Sequence, residues 1–291
     1  MSSRKRRLAS ASLLLVAIIW GSGFIATEYA IRSGLGAQAI LAARFLVAAM
    51  VVGLAFLPKI RKGSRREAKH GALAGVFLFL AFLCQTVGQG MTSVSSAAFL
   101  TAANVVMIPF LVWLFWRRRP AARVFLLAAL ALLGIGFLTI RPEEGFLLGP
   151  GEALILLCAL FFAAHITFLG SSCKGDDDAA LTFWQFLSAG AIALGAMLLS
   201  GGLPSWEQWR TGLLPVLYLG LFSTCLCYYL QTAAQKHVPA PQAGVLLSTE
   251  GLFGTLFSLV LGMEPLRPAM ALGGIVITLC VVWMERTPRP Q

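Results

Sequence analysis

Charge is scarce in this chain. Asp, Glu, Lys and Arg make up 12% of its 291 residues, against roughly 25% in an ordinary soluble domain. With 58% hydrophobic residues, it cannot cover a water-facing surface with polar groups, so lipid is the expected solvent for most of it. Aspartate occurs only as Asp176, Asp177 and Asp178, which excludes a pair of catalytic aspartates on separate helices. There is no H-E-x-x-H metal pair and no G-x-x-x-x-G-K-[ST] phosphate loop, which argues against an intramembrane metalloprotease and an ATP-driven pump. Gly21-Ser22-Gly23 puts a serine between glycines but supplies no base, so close backbone packing explains it more simply than catalysis. An enzyme is not expected.

The six cysteines, Cys84, Cys158, Cys173, Cys225, Cys227 and Cys280, lie in or at the ends of apolar runs. None has zinc-ligand spacing to a partner, and they read as small apolar fillers. No cofactor or metal is expected. The net charge of +11 resides in short clusters between apolar runs rather than in one basic stripe, so nucleic acid is not expected as a partner.

Long apolar runs dominate the rest. A membrane helix needs about twenty mostly apolar residues, and ten such runs follow one another: Leu8–Ile31, Gln38–Leu57, His70–Gln89, Ser95–Phe115, Val124–Ile140, Gly151–Gly170, Leu181–Ser200, Gly212–Ala234, Ala240–Gly262 and Ala269–Trp283. The breaks between them are polar, charged or rich in Gly and Pro. The first run follows Arg4-Lys5-Arg6-Arg7, but it is too long for a signal peptide and ends in no small-x-small site. Trp206 and Trp209, beside Pro204, read as interfacial anchors in a loop.

Counting Lys and Arg in alternate connections places 18 of the 23 on one side and four on the other, with Arg44 alone inside a span. By the positive-inside rule this predicts cytoplasmic N- and C-termini in a plasma or inner membrane. The connection Lys174-Gly175-Asp176-Asp177-Asp178 is net acidic, yet the rule counts Lys and Arg rather than net charge.

The halves resemble each other at about half the length. Ala97 through Asn104 lies over Ala243 through Glu250, Arg44-Phe45-Leu46 over Gln185-Phe186-Leu187, and Trp20 over Phe162. Five helices is an odd number, so the second half enters from the opposite side. The expected fold is an all-α integral membrane protein of ten transmembrane helices, as two inverted five-helix repeats over residues 1–145 and 146–291. Many secondary transporters build two alternately open faces from that arrangement. A membrane-embedded sensor or scaffold is the alternative, and it would be expected to carry a soluble output domain.

Several stretches resemble the EamA type of the drug/metabolite transporter superfamily. They are Ala17 to Phe24, Ala43-Arg44-Phe45, Thr92 to Leu100, Val238 to Ala243 with Glu250, and Gly262 to Leu266. The resemblance covers nearly the whole chain. It implies a central cavity and the export of amino acids or related metabolites. Val105 and Gly251 stand where the family often has Pro, and Arg118 where it often has an acidic residue.

Ionisable residues inside a span are costly and normally face a cavity or a partner. Glu250 sits mid-span, some 15 Å from either surface, and is too short to snorkel. A charged carboxyl is poorly solvated there, so Glu250 is expected to hold a proton near neutral pH. Proton coupling, capture of a substrate amine and a packing hydrogen bond all fit it. Asn104 occupies the matching position, where interhelical bonding fits as well as a substrate contact. Glu28 and Arg44 are close enough in depth to pair as an outer gate or structural ion pair, and Glu28 also has Arg32 four residues on. His165 is read as a proton relay or a packed side chain. Trp20, Phe24, Phe99, Trp113, Trp184, Tyr228 and Tyr229 are candidates for lining a pocket or for packing helices. The expected partners are a small-molecule substrate, protons and the lipid bilayer.

Overall fold

The computed structural model describes residues 3–92, 94–117, 119–139, 149–262 and 266–286. Among them there is no strand, and every apolar run is helical. The helices are α1 (Ser3–Arg32), α2 (Ala37–Arg61), α3 (Arg65–Gln89), α4 (Val94–Ala102), α5 (Asn104–Trp116), α6 (Ala122–Thr139), α7 (Pro150–Ser172), α8 (Asp178–Leu199), α9 (Trp206–Tyr218), α10 (Cys227–Gln235), α11 (Ala240–Leu247), α12 (Glu250–Val260) and α13 (Pro268–Arg286). A π-helical segment, Leu219–Leu226, joins α9 to α10. Three spans are therefore compound: α4 with α5, α9 through α10, and α11 with α12. Ten spans result.

Local chemistry sets the ends. Ser64 caps α3 through a capping box with Glu67, Ser205 caps α9 through one with Gln208, and Asp177 Oδ1 accepts from the amides of Ala179 and Ala180 to start α8. Trp206 and Trp209 lie in the first turn of α9 and not in a loop, because that capping box begins the helix before them. Helix α2 runs past the expected end at Leu57, with a kink at Phe56 two residues before Pro58.

Contacts across the bundle survive an exchange of its halves. The first span packs on the ninth and the sixth on the fourth; the second packs on the eighth and the seventh on the third. The second–seventh and fifth–tenth pairs, which map onto themselves, are both formed. The expected boundary at 145/146 falls outside the described residues, as do Arg118, Arg141, Met263-Glu264-Pro265 and Arg289.

Chain direction alternates as the charge count predicts. Arg6 near the start of the first span donates to Gln242 at the start of the ninth (3.3 Å), and Lys236 reaches Asp178 (2.8 Å). On the opposite face, Gln208 donates to the Gly34 carbonyl (2.8 Å) and Thr92 bonds Glu152. The face carrying the first set of contacts also carries most of the basic residues, and is called the basic face below.

The tightest crossing is α3 on α8. Ideal Cβ atoms on Gly71 and Gly75 would lie 2.5 Å from Trp184 Cβ and 2.4 Å from the Gln185 carbonyl oxygen. This Gly-x-x-x-Gly pair lets two backbones meet where lipid offers no hydrophobic drive to hold helices together. Gly75→Val is expected to cost at least the roughly 1–3 kcal/mol of core overpacking and to lower the melting temperature in detergent. Gly195→Ala, at a helical glycine with nothing within 4 Å of its Cβ position, is expected to leave it unchanged or slightly raised. Equal melting temperatures for the Gly75 variant and the parent would contradict the crossing.

Candidate functional site

The compound spans meet at the centre. The fourth span is tightened at Ala103, whose amide bonds the Leu100 carbonyl three residues back (3.2 Å), and α5 restarts at Asn104. The ninth repeats this, with Thr249 N on the Leu246 carbonyl (3.3 Å) and α12 restarting at Glu250. Hydroxyls cause the second interruption: Ser248 Oγ donates to the Val245 carbonyl (2.8 Å) and Thr249 Oγ1 to that of Leu246 (2.7 Å), drawing acceptors away from the helical ladder. Both spans are thus interrupted without Pro at 105 or 251; in the fourth, Pro109 within α5 deprives the Val105 carbonyl of its amide partner. Asn104 and Glu250 head matched half-helices, whose N-terminal ends carry partial positive charge.

Both residues line one central cavity, together with Trp20, Arg44, His165 and Tyr228. Six of the eight site residues expected from the sequence therefore converge. Glu250 is 6% exposed and makes no side-chain hydrogen bond among the described residues. The buried Asn104 Oδ1 also has no hydrogen-bond partner among the described residues. The cavity holds about 40 Å³. At the ~10–15 Å³ that each water centre needs, that is room for about three waters, too little for a substrate with a bulky side chain.

Arg44 is 1% exposed. Its Nε donates to Thr224 Oγ1 (2.8 Å) and its Nη2 to Ser223 Oγ (3.3 Å), and its guanidinium carbon lies 4.0 Å from the Phe82 ring centroid. The two hydroxyls belong to the π-helical segment, a form of local distortion that recurs at functional sites. Ser223 also presents its carbonyl to Trp20 Nε1 (2.9 Å). A guanidinium held by neutral hydroxyls and a ring face keeps its charge available to the cavity, since among the described residues no carboxylate pairs with it.

Aromatic rings form the walls. Trp20 and Tyr228 are 5.1 Å apart, Phe82 and Phe162 5.0 Å, and Phe82 and Tyr228 6.0 Å. Trp20 and Phe162, matched between halves in the sequence, both face the cavity. His165 Nε2 lies 3.0 Å from Gln185 Oε1, and Gln185 Nε2 donates onward to Thr232 (3.4 Å). His165 Nδ1 has no hydrogen-bond partner among the described residues.

Two expected site residues lie elsewhere. Glu28 does not pair with Arg44. It takes Arg32 Nε at 2.7 Å, one helical turn away on the exposed flank of α1, because Arg44 turns inward to the π-helical hydroxyls. Phe99 does not line the cavity; it packs against the clusters containing Ile135 and Ile155. Trp113 is half-exposed beneath Arg119, Trp184 packs on Phe183, and Tyr229 stacks on Phe56. Gln85, Thr101, Ser223 and Gln231, none of them expected from the sequence, also line the cavity. The amides Gln85 and Gln231 had a signal, being polar groups in the middle of apolar runs; Ser223 and Thr101 had none.

Thr224→Val keeps the shape but removes the acceptor of a buried guanidinium. It is expected to cost about 1.5–3 kcal/mol, as for hydrogen bonds to charged groups, read as a lower melting temperature. Ser223→Ala, at the longer contact, is expected to cost less. The reverse order would contradict the assignment of Thr224 as the principal partner.

Known proteins resemble this chain along its whole length. A model of the EamA-like transporter family matches residues 7–140 and 149–285. An uncharacterized transporter of Archaeoglobus fulgidus is 33% identical over 282 residues, 96% of this chain and 86% of that protein. The uncharacterized transporter YwfM of Bacillus subtilis is 24% identical over 299 residues, 99% and 97% of the two chains. A solved structure shares the fold with TM-score 0.76 at 18% identity, covering 97% of this chain and 96% of the other. With both halves matched, the chain belongs to the EamA-like transporter family, and it is a multi-pass membrane transporter.

Proposed function

We propose that this transporter is a secondary exporter or facilitator of small metabolites, most simply amino acids or related compounds, working by alternating access. The observation that carries this is the presence, in one cavity, of a carboxyl at Glu250 and a guanidinium at Arg44 that no carboxylate among the described residues neutralises. A zwitterion presents the opposite charges, an amine for Glu250 and a carboxylate for Arg44. Aromatic walls from Trp20, Phe82, Phe162 and Tyr228 suit an apolar side chain. Asn104, with its unbonded Oδ1, supplies one further acceptor.

Because the cavity is smaller than most such substrates, a cycle requires the walls to separate. The interruptions at Ala103 and at Ser248-Thr249 are places where half-helices can tilt without breaking a continuous ladder. The π-helical segment carries Arg44's partners and can move with it. The basic face is the cytoplasmic one in this reading, with both termini there. Glu250 then takes a proton when the cavity faces outward and yields it when the cavity faces the cytoplasm, so substrate amine and proton compete for one carboxyl.

Two measurements test this. In proteoliposomes loaded with labelled amino acids, Glu250→Gln is expected to abolish accumulation driven by a pH gradient while the protein keeps its elution profile and melting temperature. Unchanged pH-driven transport in that variant would exclude Glu250 as the coupling site. For orientation, a C-terminal green fluorescent protein fusion is expected to fluoresce and an alkaline phosphatase fusion at the same point to be inactive; the opposite pattern would reverse the topology.

A further inference from the structure

The acidic connection after α7 runs against the basic charge of the face on which it lies. The fold returns it over the start of α3. Glu67 Oε1 accepts from the Asp177 amide (2.8 Å), Asp178 takes Lys236, and Asp176 meets two side chains of α3. Its Oδ2 lies 2.6 Å from His70 Nδ1, and its Oδ1 lies 3.4 Å from Arg66 Nε. Cys173, at the end of α7, completes the cluster. A nitrogen of His70, the sulfur of Cys173 and a carboxylate oxygen of Asp176 all lie within 4.8 Å of one another. Cys173 and Asp176 are buried, at 2% and 3% exposure, whereas the His70 side chain is a quarter exposed on the basic face.

We propose that His70, Cys173 and Asp176 form a binding site for a zinc-class divalent cation, with water as the fourth ligand. The donor set carries the argument. One imidazole, one thiolate and one carboxylate match a three-ligand zinc site with an open position, and a thiolate disfavours magnesium and calcium, which select oxygen. Thiolate and carboxylate together neutralise a dication, so occupancy leaves no net charge among two buried ligands. Bonds of about 2.0–2.3 Å in tetrahedral array place donor atoms roughly 3.3–3.8 Å apart. His70 and Asp176 therefore part slightly and the sulfur closes in. Gly175, with nothing within 4 Å of its Cβ position, leaves the connection room to do so.

Binding forms metal–nitrogen, metal–sulfur and metal–oxygen bonds and releases the thiol proton to solvent. The metal takes the place of the hydrogen bond between Nδ1 and Oδ2, and the proton on Nδ1 leaves to solvent, which supplies one to Nε2 where the ring was neutral. Arg66 remains on Oδ1, orienting the carboxylate from outside the coordination sphere. His70 belongs to the third span and the other two ligands to the connection between the sixth and seventh, so the ion staples the two halves together at the basic face. This site lies apart from the central cavity and does not depend on the transport reading.

The test uses the full-length protein purified in detergent and titrated with Cd2+, reading the ultraviolet thiolate-to-cadmium charge-transfer band. Wild type is expected to saturate at one Cd2+ per chain, with Zn2+ displacing the band and excess Mg2+ leaving it. Cys173→Ser is expected to abolish it although five cysteines remain. His70→Gln is expected to weaken binding by at least the 10–100-fold that loss of a mere outer partner costs. Zn2+ is expected to raise the melting temperature of wild type but not of His70→Gln, which keeps the proposal open to refutation should the Cys173 variant fail to fold. No saturable band in wild type, a band retained in Cys173→Ser, or equal Zn2+ stabilisation of wild type and His70→Gln would each overturn the proposal.

Discussion

A polar group inside a bilayer has no water to fall back on. It must bond within the protein or face an internal cavity, and the architecture of this chain follows from that constraint. Arg44 shows it best. A guanidinium inside the second span can be tolerated only where donors find acceptors, and the eighth span supplies them by distorting into a π-helical segment that offers Thr224 and Ser223. The same distortion frees the Ser223 carbonyl for Trp20. One buried charge thereby ties the first, second and eighth spans together and fixes the aromatic wall beside it.

The repeated halves carry the same solution in two versions. At matched positions the fourth and ninth spans are tightened and restart at Asn104 and Glu250. The chemistry there differs. Asn104 offers a neutral amide and Glu250 an acid, so a nearly symmetric frame encloses an asymmetric cavity. The second asymmetry is charge: Arg44 in the first half stands where the second half has Gln185, which is buried and bonds His165 and Thr232 instead. Divergence of this kind lets one half hold charge while the other holds a hydrogen-bond network.

At the basic face the connection between the sixth and seventh spans does structural work that its net charge conceals. Asp176, Asp177 and Asp178 each face a different partner, on α3 or at the end of α10. Asp176 and the Asp177 amide thus fasten the second half to the first at one mouth of the bundle, while Asp178 holds Lys236 within the second half. In the proposed cycle, movement of the halves breaks or carries these contacts while the central cavity enlarges.

The number of spans, their limits to within a few residues and the alternation of their direction were legible in the sequence, because hydropathy and Lys/Arg placement are imposed by the membrane on each segment separately. Glu250 and Asn104 were legible for the same reason, as polar groups at mid-depth. Partnership was not. Whether Arg44 turns toward Glu28 or toward Thr224 depends on helix rotation and on a π-helical turn that no local pattern announces, and Phe99 and Tyr228 are both aromatic residues in apolar spans although only one reaches the cavity. His70, Cys173 and Asp176 stand about a hundred residues apart in part, so linear spacing could not join them. The sequence by itself determined which segments enter lipid and where their costly groups lie; the tertiary structure alone decided which of those groups meet, because only packing sets the rotation of each helix about its axis.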